Sequence, residues 1–214
     1  MKKIRFVEVK SEVGAGTRGA SMGPDAIKIA AFDYGSNLFK KIESVEVQTE
    51  NQSLFESPGS PYAKRIKSML AVLERTANAV KNSLKSNEFP IVLAGDHSTS
   101  AGTISGIKMA YPKQRLGVIW IDAHADMHSP WTTPSGNMHG MPLAAVLAED
   151  NASNKMNKPD KDTLEQWNKI KKIGGIMPKI DWNDLVFIGL RDVEPEESYL
   201  LKKNKVKIFS TNDV

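Results

Sequence analysis

The chain has no cysteine among its 214 residues, so neither a disulfide framework nor a thiol mechanism is available to it. It also lacks any run of about 18 apolar residues, and the sequence therefore predicts no membrane span. Its start, Met1-Lys-Lys-Ile-Arg-Phe-Val-Glu, is too charged and too short in apolar residues for a signal peptide. From these absences we expect a cytoplasmic protein.

Aromatic residues are scarce, at 7%, and the net charge is only +4. Lysine-rich clusters occur near residues 38–41, 153–172 and 202–207, but none is interleaved with aromatic side chains as a nucleic-acid surface would be. The length suits one domain with a sizeable core and is short for two. We expect a single domain over residues 1–214 that binds neither nucleic acid nor a membrane.

Apolar patterns along the chain predict alternating strands and helices. Strands are predicted at residues 3–9, 44–48, 91–94, 116–121, 185–190 and 206–209. Helices are predicted at residues 24–31, 66–84, 141–147 and 163–172, and another after Ser98, which we expect to cap it. Repeated strand–helix–strand order implies an α/β fold with a mainly parallel sheet and helices on its faces. We expect the first strand near a sheet edge, residues 116–121 buried on both faces, and residues 149–162 to form a polar surface excursion.

The four histidines lie at or near one stretch that runs from Asp122 to His139. Asp122, His124 and Asp126 follow a predicted strand, and alternate residues of an extended segment project to the same side. His97 follows the preceding predicted strand. If the two strands are parallel and lie near each other, these side chains converge at the carboxyl ends, where open α/β sheets place ligands.

A set of imidazole and carboxylate groups suits manganese, iron or zinc. One carboxylate can bridge two ions, and two hard cations about 3.5–4 Å apart can polarise a shared water. The alternative is a solvated loop that happens to carry polar residues. Four such residues at matched strand ends favour a metal site.

Gly95-Asp96-His97-Ser98, followed by Asp122-Ala-His124-Ala-Asp126, resembles the first two metal motifs of the ureohydrolases, a family of arginases, agmatinases and formimidoylglutamases. Three further stretches look arginase-like: residues 19–24, 135–140 and 189–195. The resemblance covers the whole chain and is closest to arginase. It implies a three-layer α/β/α fold and hydrolysis of the guanidinium group of L-arginine to urea and L-ornithine by a hydroxide bridging two Mn²⁺ ions.

The resemblance also implies roles for individual residues. His97, Asp122 and Asp126 would hold one manganese ion, and Asp122 and His124 the other. His139 matches the proton-shuttling histidine, and Asp126 is taken as catalytic as well as metal-binding. The substrate-binding residues would be His128, Ser135, Asn137, Glu194 and Glu197, of which Ser135 and Asn137 match the residues that recognise the α-carboxylate.

Two positions depart from the arginase pattern. His128 stands where arginases usually have asparagine at the amino-acid end of the substrate. Glu194 stands where they usually have an aspartate that reads the α-amino group, whereas Glu197 matches the pattern. The departures put affinity and stringency for arginine in question.

The third metal motif of the family is an Asp-x-Asp pair at the end of a strand. None of the predicted strands of this chain ends in such a pair. We therefore expect an arginase-like domain whose C-terminal strands are missing. A complete site would hold two manganese ions, and this chain one or none, so that it is inactive alone.

Three rival functions remain open. An agmatinase would act on a substrate without a carboxylate, which would leave Ser135 and Asn137 without a purpose. Another ureohydrolase, such as a formimidoylglutamase, is a further possibility. A metal-depleted relative that binds arginine or a partner subunit without catalysis would explain the missing motif. As partners, the resemblance implies a small guanidino substrate and a homo-oligomer, either a trimer or a hexamer.

Overall fold

The computed structural model describes residues 2–213; Met1 and Val214, the ends of the predicted domain, lie outside that range. The described strands are β1 (Lys3–Val9), β2 (Ser44–Glu46), β3 (Glu88–Ala94), β4 (Val118–Ile121), β5 (Leu185–Ile188) and β6 (Lys207–Phe209). The α-helices are α1 (Gly23–Asp33), α2 (Leu38–Lys41), α3 (Ile66–Lys85), α4 (Ser100–Ala110), α5 (Pro142–Leu147), α6 (Lys161–Lys171) and α7 (Pro195–Lys203). This order confirms the α/β class.

Every strand pair is parallel, as predicted, but the strands form two groups of three rather than one sheet. The first group has the order β2-β1-β3 and the second β4-β5-β6. The expectation that β1 lies near an edge is wrong, because β2 and β3 flank it. Its charged residues have partners in the fold: Arg5 donates to Glu88 of β3, and Glu8 accepts from Lys28 of α1.

Within residues 2–213, the outer edges of β3 and β4 are bonded to no further strand. Pro90 is tolerated inside β3 because an edge strand does not need every backbone N–H for a ladder. In β4, Trp120 is 5% exposed, whereas Ile119 is 68% and Ile121 75% exposed. The expectation that this strand is buried on both faces is therefore wrong, since a uniformly apolar run does not show which face the fold covers.

The predicted long helix is confirmed as α3, which buries residues at helical spacing, including Met69, Leu73, Ala77 and Val80. Helix α4 packs closely against it through Gly106, where a β-carbon would lie 2.5 Å from the backbone oxygen of Ala77. Close packing of these two helices secures the connection between β3 and β4. Within residues 2–213, no helix combines the length and apolar character needed to cross a membrane.

Candidate active site

Loops at the carboxyl ends of β3, β4 and β5 meet at one cleft. His97 begins a short 3-10 turn after β3, Asp122 directly follows β4, and Glu194 precedes α7 after β5. The predicted convergence therefore occurs, although β3 and β4 are not hydrogen-bonded to each other. The connecting helix α4, rather than strand pairing, brings the two ends together.

The cleft has a volume of about 320 Å³. All ten residues singled out in the sequence line it: His97, Asp122, His124, Asp126, His128, Ser135, Asn137, His139, Glu194 and Glu197. Thr133, Pro134 and Gly140 complete the wall and were not singled out. Thr133 and Pro134 directly precede Ser135, and Gly140 ends the arginase-like stretch 135–140, so their position in the chain was the available signal.

Three of the proposed ligands form a tight cluster. His97 Nδ1 lies 3.0 Å from Asp122 Oδ2 and 2.8 Å from Asp126 Oδ2. His124 lies beside this cluster rather than in it: its Nδ1 is 3.3 Å from the other oxygen of Asp122, and its Nε2 is 3.7 Å from Asp192 Oδ2. Asp192 lies in the loop after β5, four residues beyond the end of that strand, and the acidic character of this loop was the missed signal for it.

Contacts with neighbouring residues fix the positions of His97 and Asp126 in the cluster. The ring of His97 stacks on Trp120, with centroids 4.4 Å apart and planes 17° from parallel. Asp126 has a φ of 50°, a left-handed conformation that is uncommon outside glycine and is found at functional sites. Its backbone oxygen accepts from Leu143 N at 3.1 Å, which ties the strained residue to α5.

The electrostatics of the cluster favour a positive charge between its members. Burial lowers the pKa of His97, but hydrogen bonding and charge from Asp126, and the charges of Asp122 and Asp96, outweigh it. The net result is a raised pKa. A proton is stabilised where His97 faces the two carboxylates, and a metal cation would meet the same field.

Asp96 is a buried positioning residue that sequence reasoning missed. It caps the short turn after β3 by accepting from Ser98 N at 2.9 Å. The expectation that Ser98 caps α4 is wrong, because Thr99 holds the N-cap position of that helix and makes no side-chain capping bond. The other carboxylate oxygen of Asp96 accepts from Gly14 N at 3.0 Å. Gly14 O in turn accepts from His139 N at 3.2 Å, so the loop after β1 that contains Gly14 borders the cleft.

A second group of titratable side chains lies in the same cleft. His128 Nε2 is 3.2 Å from Glu194 Oε2 and 3.8 Å from Glu197 Oε2. Glu197 accepts from Met127 N at 2.9 Å, and burial raises its pKa to about 8. Burial also opposes ionisation of Glu194, but hydrogen bonds from Glu197 and His128 outweigh it and lower the pKa of Glu194.

The loop with Ser135 and Asn137 is supported from both sides. On one side, Lys64 N donates to Gly136 O at 2.8 Å. On the other, Asn157 Nδ2 donates to Pro130 O at 3.2 Å and Thr133 O at 2.8 Å. Part of the predicted surface excursion is thus the backing of this loop.

Comparisons with known proteins agree with this geometry. The profile of the Arginase family matches residues 2–214. Arginase of Bacillus caldovelox is 32% identical over 216 residues, and human Arginase-1 is 37% identical over 182 residues, which is 85% of this chain and 48% of the human protein. The solved Bacillus caldovelox structure superposes on all of this chain with a TM-score of 0.80. Entamoeba histolytica arginase, solved in complex with L-ornithine, is 25% identical and has a TM-score of 0.78 over 100% of this chain and 67% of its own.

The chain spans 66% of the length of the Bacillus caldovelox arginase and 65% of that of Brevibacillus brevis. Within that part, the match runs through the cleft and all the strands that build it. The chain belongs to the arginase family.

Proposed function

We propose that this chain carries the active-site cleft of a hydrolase that converts L-arginine to urea and L-ornithine with Mn²⁺. The observation that carries the proposal is the cleft, because a cluster of imidazole and carboxylates shares one wall with the residues suited to an amino acid's polar groups. Relatives named as arginases support the reaction type. L-Ornithine in the Entamoeba histolytica arginase supports the product.

The donor set fits a hard or borderline divalent cation. His97, Asp122 and Asp126 would hold one manganese ion, since one atom of each lies within 4.8 Å of those of the others. The second oxygen of Asp122 and the ring of His124 are placed to contribute to another. Bound manganese lowers the pKa of coordinated water enough to supply a nucleophile near neutral pH.

The remaining steps belong to the side chains of this chain. Guanidinium is a poor electrophile, and its leaving amine needs a proton. His139 is an exposed imidazole in the cleft and would carry that proton. Ser135 and Asn137 would bind the α-carboxylate, and the ionised Glu194 the α-ammonium group. Together these contacts fix the substrate along the cleft.

The test is urea release from L-arginine by the manganese-loaded protein, with bound manganese measured on the same samples. Asp122→Asn is expected to lose most bound manganese and at least about 100-fold in rate, because Asp122 is the carboxylate shared by both groups of ligands. Asp33→Asn, which changes an exposed carboxylate at the end of α1, is the matched control and keeps both properties.

Agmatine is the competing substrate in the same assay. Faster turnover of agmatine than of L-arginine would contradict the substrate assignment while leaving the reaction type intact. Full manganese binding and full activity in Asp122→Asn would move the metal centre elsewhere. Tight arginine binding without urea release would favour a non-catalytic arginine-binding protein.

A further inference from the structure

A chain of hydrogen bonds leads from the buried backbone to the carboxylate of Glu194. Ser129 N donates to Thr132 Oγ1 at 3.1 Å. Thr132 Oγ1 lies 3.2 Å from His128 Nδ1, and His128 Nε2 lies 3.2 Å from Glu194 Oε2. Thr132 is fully buried and His128 nearly so, whereas about half of the Glu194 side chain is exposed in the cleft.

Only one direction along this chain gives every member a partner. An ionised carboxylate can only accept, so His128 Nε2 carries the proton and donates to Glu194. Nδ1 of the neutral ring then accepts the hydroxyl proton of Thr132, whose oxygen accepts from Ser129 N. Thr132 therefore fixes the tautomer of His128.

The charge of the group suits a monovalent cation. Glu197 is kept neutral near pH 7 by its burial, and Glu194 is ionised. Glu194 therefore brings the negative charge of this pair of carboxyl groups to the cleft. The Glu194 carboxylate also accepts a hydrogen bond from Glu197, and the half-exposed side chain lies in the wall of the cleft. An ammonium group matches that charge and geometry.

We propose that Thr132 and His128 are positioning residues that orient Glu194 to bind the α-ammonium group of the substrate. The two positions that depart from the arginase pattern, His128 and Glu194, then act as one unit, because each contacts the other. This inference rests on the proposed function for the identity of the substrate. It adds Thr132, which nothing in the sequence singled out.

The experiment measures binding of two ligands to the manganese-loaded protein by isothermal titration calorimetry. L-Ornithine carries an α-ammonium group, and 5-aminopentanoate is the same molecule without it, so the ratio of their dissociation constants isolates that group. The wild-type protein is expected to prefer L-ornithine. Thr132→Val is expected to weaken L-ornithine binding about five- to tenfold and to leave 5-aminopentanoate unchanged.

Two further variants keep the test decisive. Thr132→Ser retains the hydroxyl and is expected to keep the preference for L-ornithine. If Thr132 acted only through packing, this variant would lose the preference as Thr132→Val does. Glu194→Gln removes the charge from a half-exposed side chain with little effect on folding and is expected to abolish the preference. Circular dichroism of each variant checks that the fold is intact.

Equal weakening of both ligands by Thr132→Val would mean a merely structural role and would overturn the inference. So would an unchanged preference in Glu194→Gln. Wild-type protein that binds both ligands equally would overturn the inference alone, since urea release from L-arginine decides the proposed function separately. Wild-type protein that binds neither ligand and releases no urea would overturn both.

Discussion

Glu197 holds a carboxyl group in the interior, 2% exposed, beside the ionised Glu194. Burial raises its pKa to about 8 from 4.5, so the folded state keeps a proton that the unfolded chain releases. A raised pKa gives stability that is fully present below about pH 4.5 and is lost as pH rises through about 8. Glu197 therefore makes the folded protein less stable near pH 7 than near pH 4.5.

We expect the free energy of unfolding to fall between pH 4.5 and 8 by about 2–4 kcal/mol through Glu197 alone. Glu197→Gln cannot titrate and should flatten that dependence. Denaturant unfolding of both proteins at several pH values measures it. Glu165→Gln, on the exposed face of α6, serves as the control, and an equal flattening in that variant would contradict the role of Glu197.

At the scale of elements, the segment between α5 and α6 is joined to the cleft by several bonds. Backbone N–H groups of Met156 and Asn157 both donate to Trp131 O, at 2.9 and 3.0 Å. Asn151 is buried, and its Nδ2 donates to Glu196 O at the start of α7. The segment therefore links the Ser135 loop to the element that carries Glu197.

Asn157→Ala is expected to destabilise the protein by about 1–3 kcal/mol, because two backbone oxygens lose their donor. It should also raise KM for L-arginine more than it lowers kcat, since the loop that it supports binds substrate. Denaturant unfolding and steady-state urea release measure the two effects. Asn204→Ala, which removes one side-chain bond to Leu200 O at the end of α7, is the control. A KM rise of equal size in the control would contradict a specific role for Asn157.

Local sequence patterns predicted the helices and strands well, but they did not predict the tertiary contacts that these elements make. The spacing of Met69, Leu73 and Val80 was sufficient to predict α3, because a helix that buries one face repeats its apolar residues every three or four positions. The excursion around Asn157 gave no such pattern, since its bonds join residues more than 20 positions apart. For the same reason, the alternation of residues in β1 could not show that β2 and β3 flank it, or that Arg5 and Glu8 have charged partners elsewhere in the fold.

At the scale of the whole molecule, four strands, β2, β3, β4 and β6, have an outer edge without a strand partner within residues 2–213. β3 and β4 each offer backbone groups without a strand partner in the described range, and β4 adds the exposed side chains of Ile119 and Ile121. Open, apolar strand edges promote association between chains. We expect this chain to self-associate more readily as its concentration rises.

Ile119→Lys should reduce that association several-fold, because a charge on an edge strand opposes pairing. Its effect on stability should stay within about 0.5 kcal/mol, as for other exposed positions. Light scattering across a concentration series measures the association. Ile27→Lys, on the exposed face of α1, is the control. An equal reduction by both variants would mean that general charge, not the β4 edge, is responsible.

For the candidate site, as for the fold, the sequence predicted which residues come together but not their detailed contacts. Motif spacing and strand ends predicted which side chains would share a cleft, since parallel strands bring their carboxyl ends to one side. These patterns did not predict that His124 would lie near Asp192, or that His128 would contact Glu194, 66 positions away. Those details depend on loop conformations, such as the positive φ of Asp126, that no local pattern encodes.

Because Trp120 stacks on His97, its fluorescence is expected to respond to changes at the candidate metal centre. An indole in contact with an imidazole emits less light when that imidazole is protonated, and a nearby paramagnetic ion such as Mn²⁺ quenches it further. Because Trp120 is buried and its ring lies 4.4 Å from that of His97, its emission is tied to the state of that one side chain. Proton and metal occupancy at the end of β3 should therefore change the share of the fluorescence that comes from Trp120, and a comparison with Trp120→Phe separates that share from the emission of the other three tryptophans.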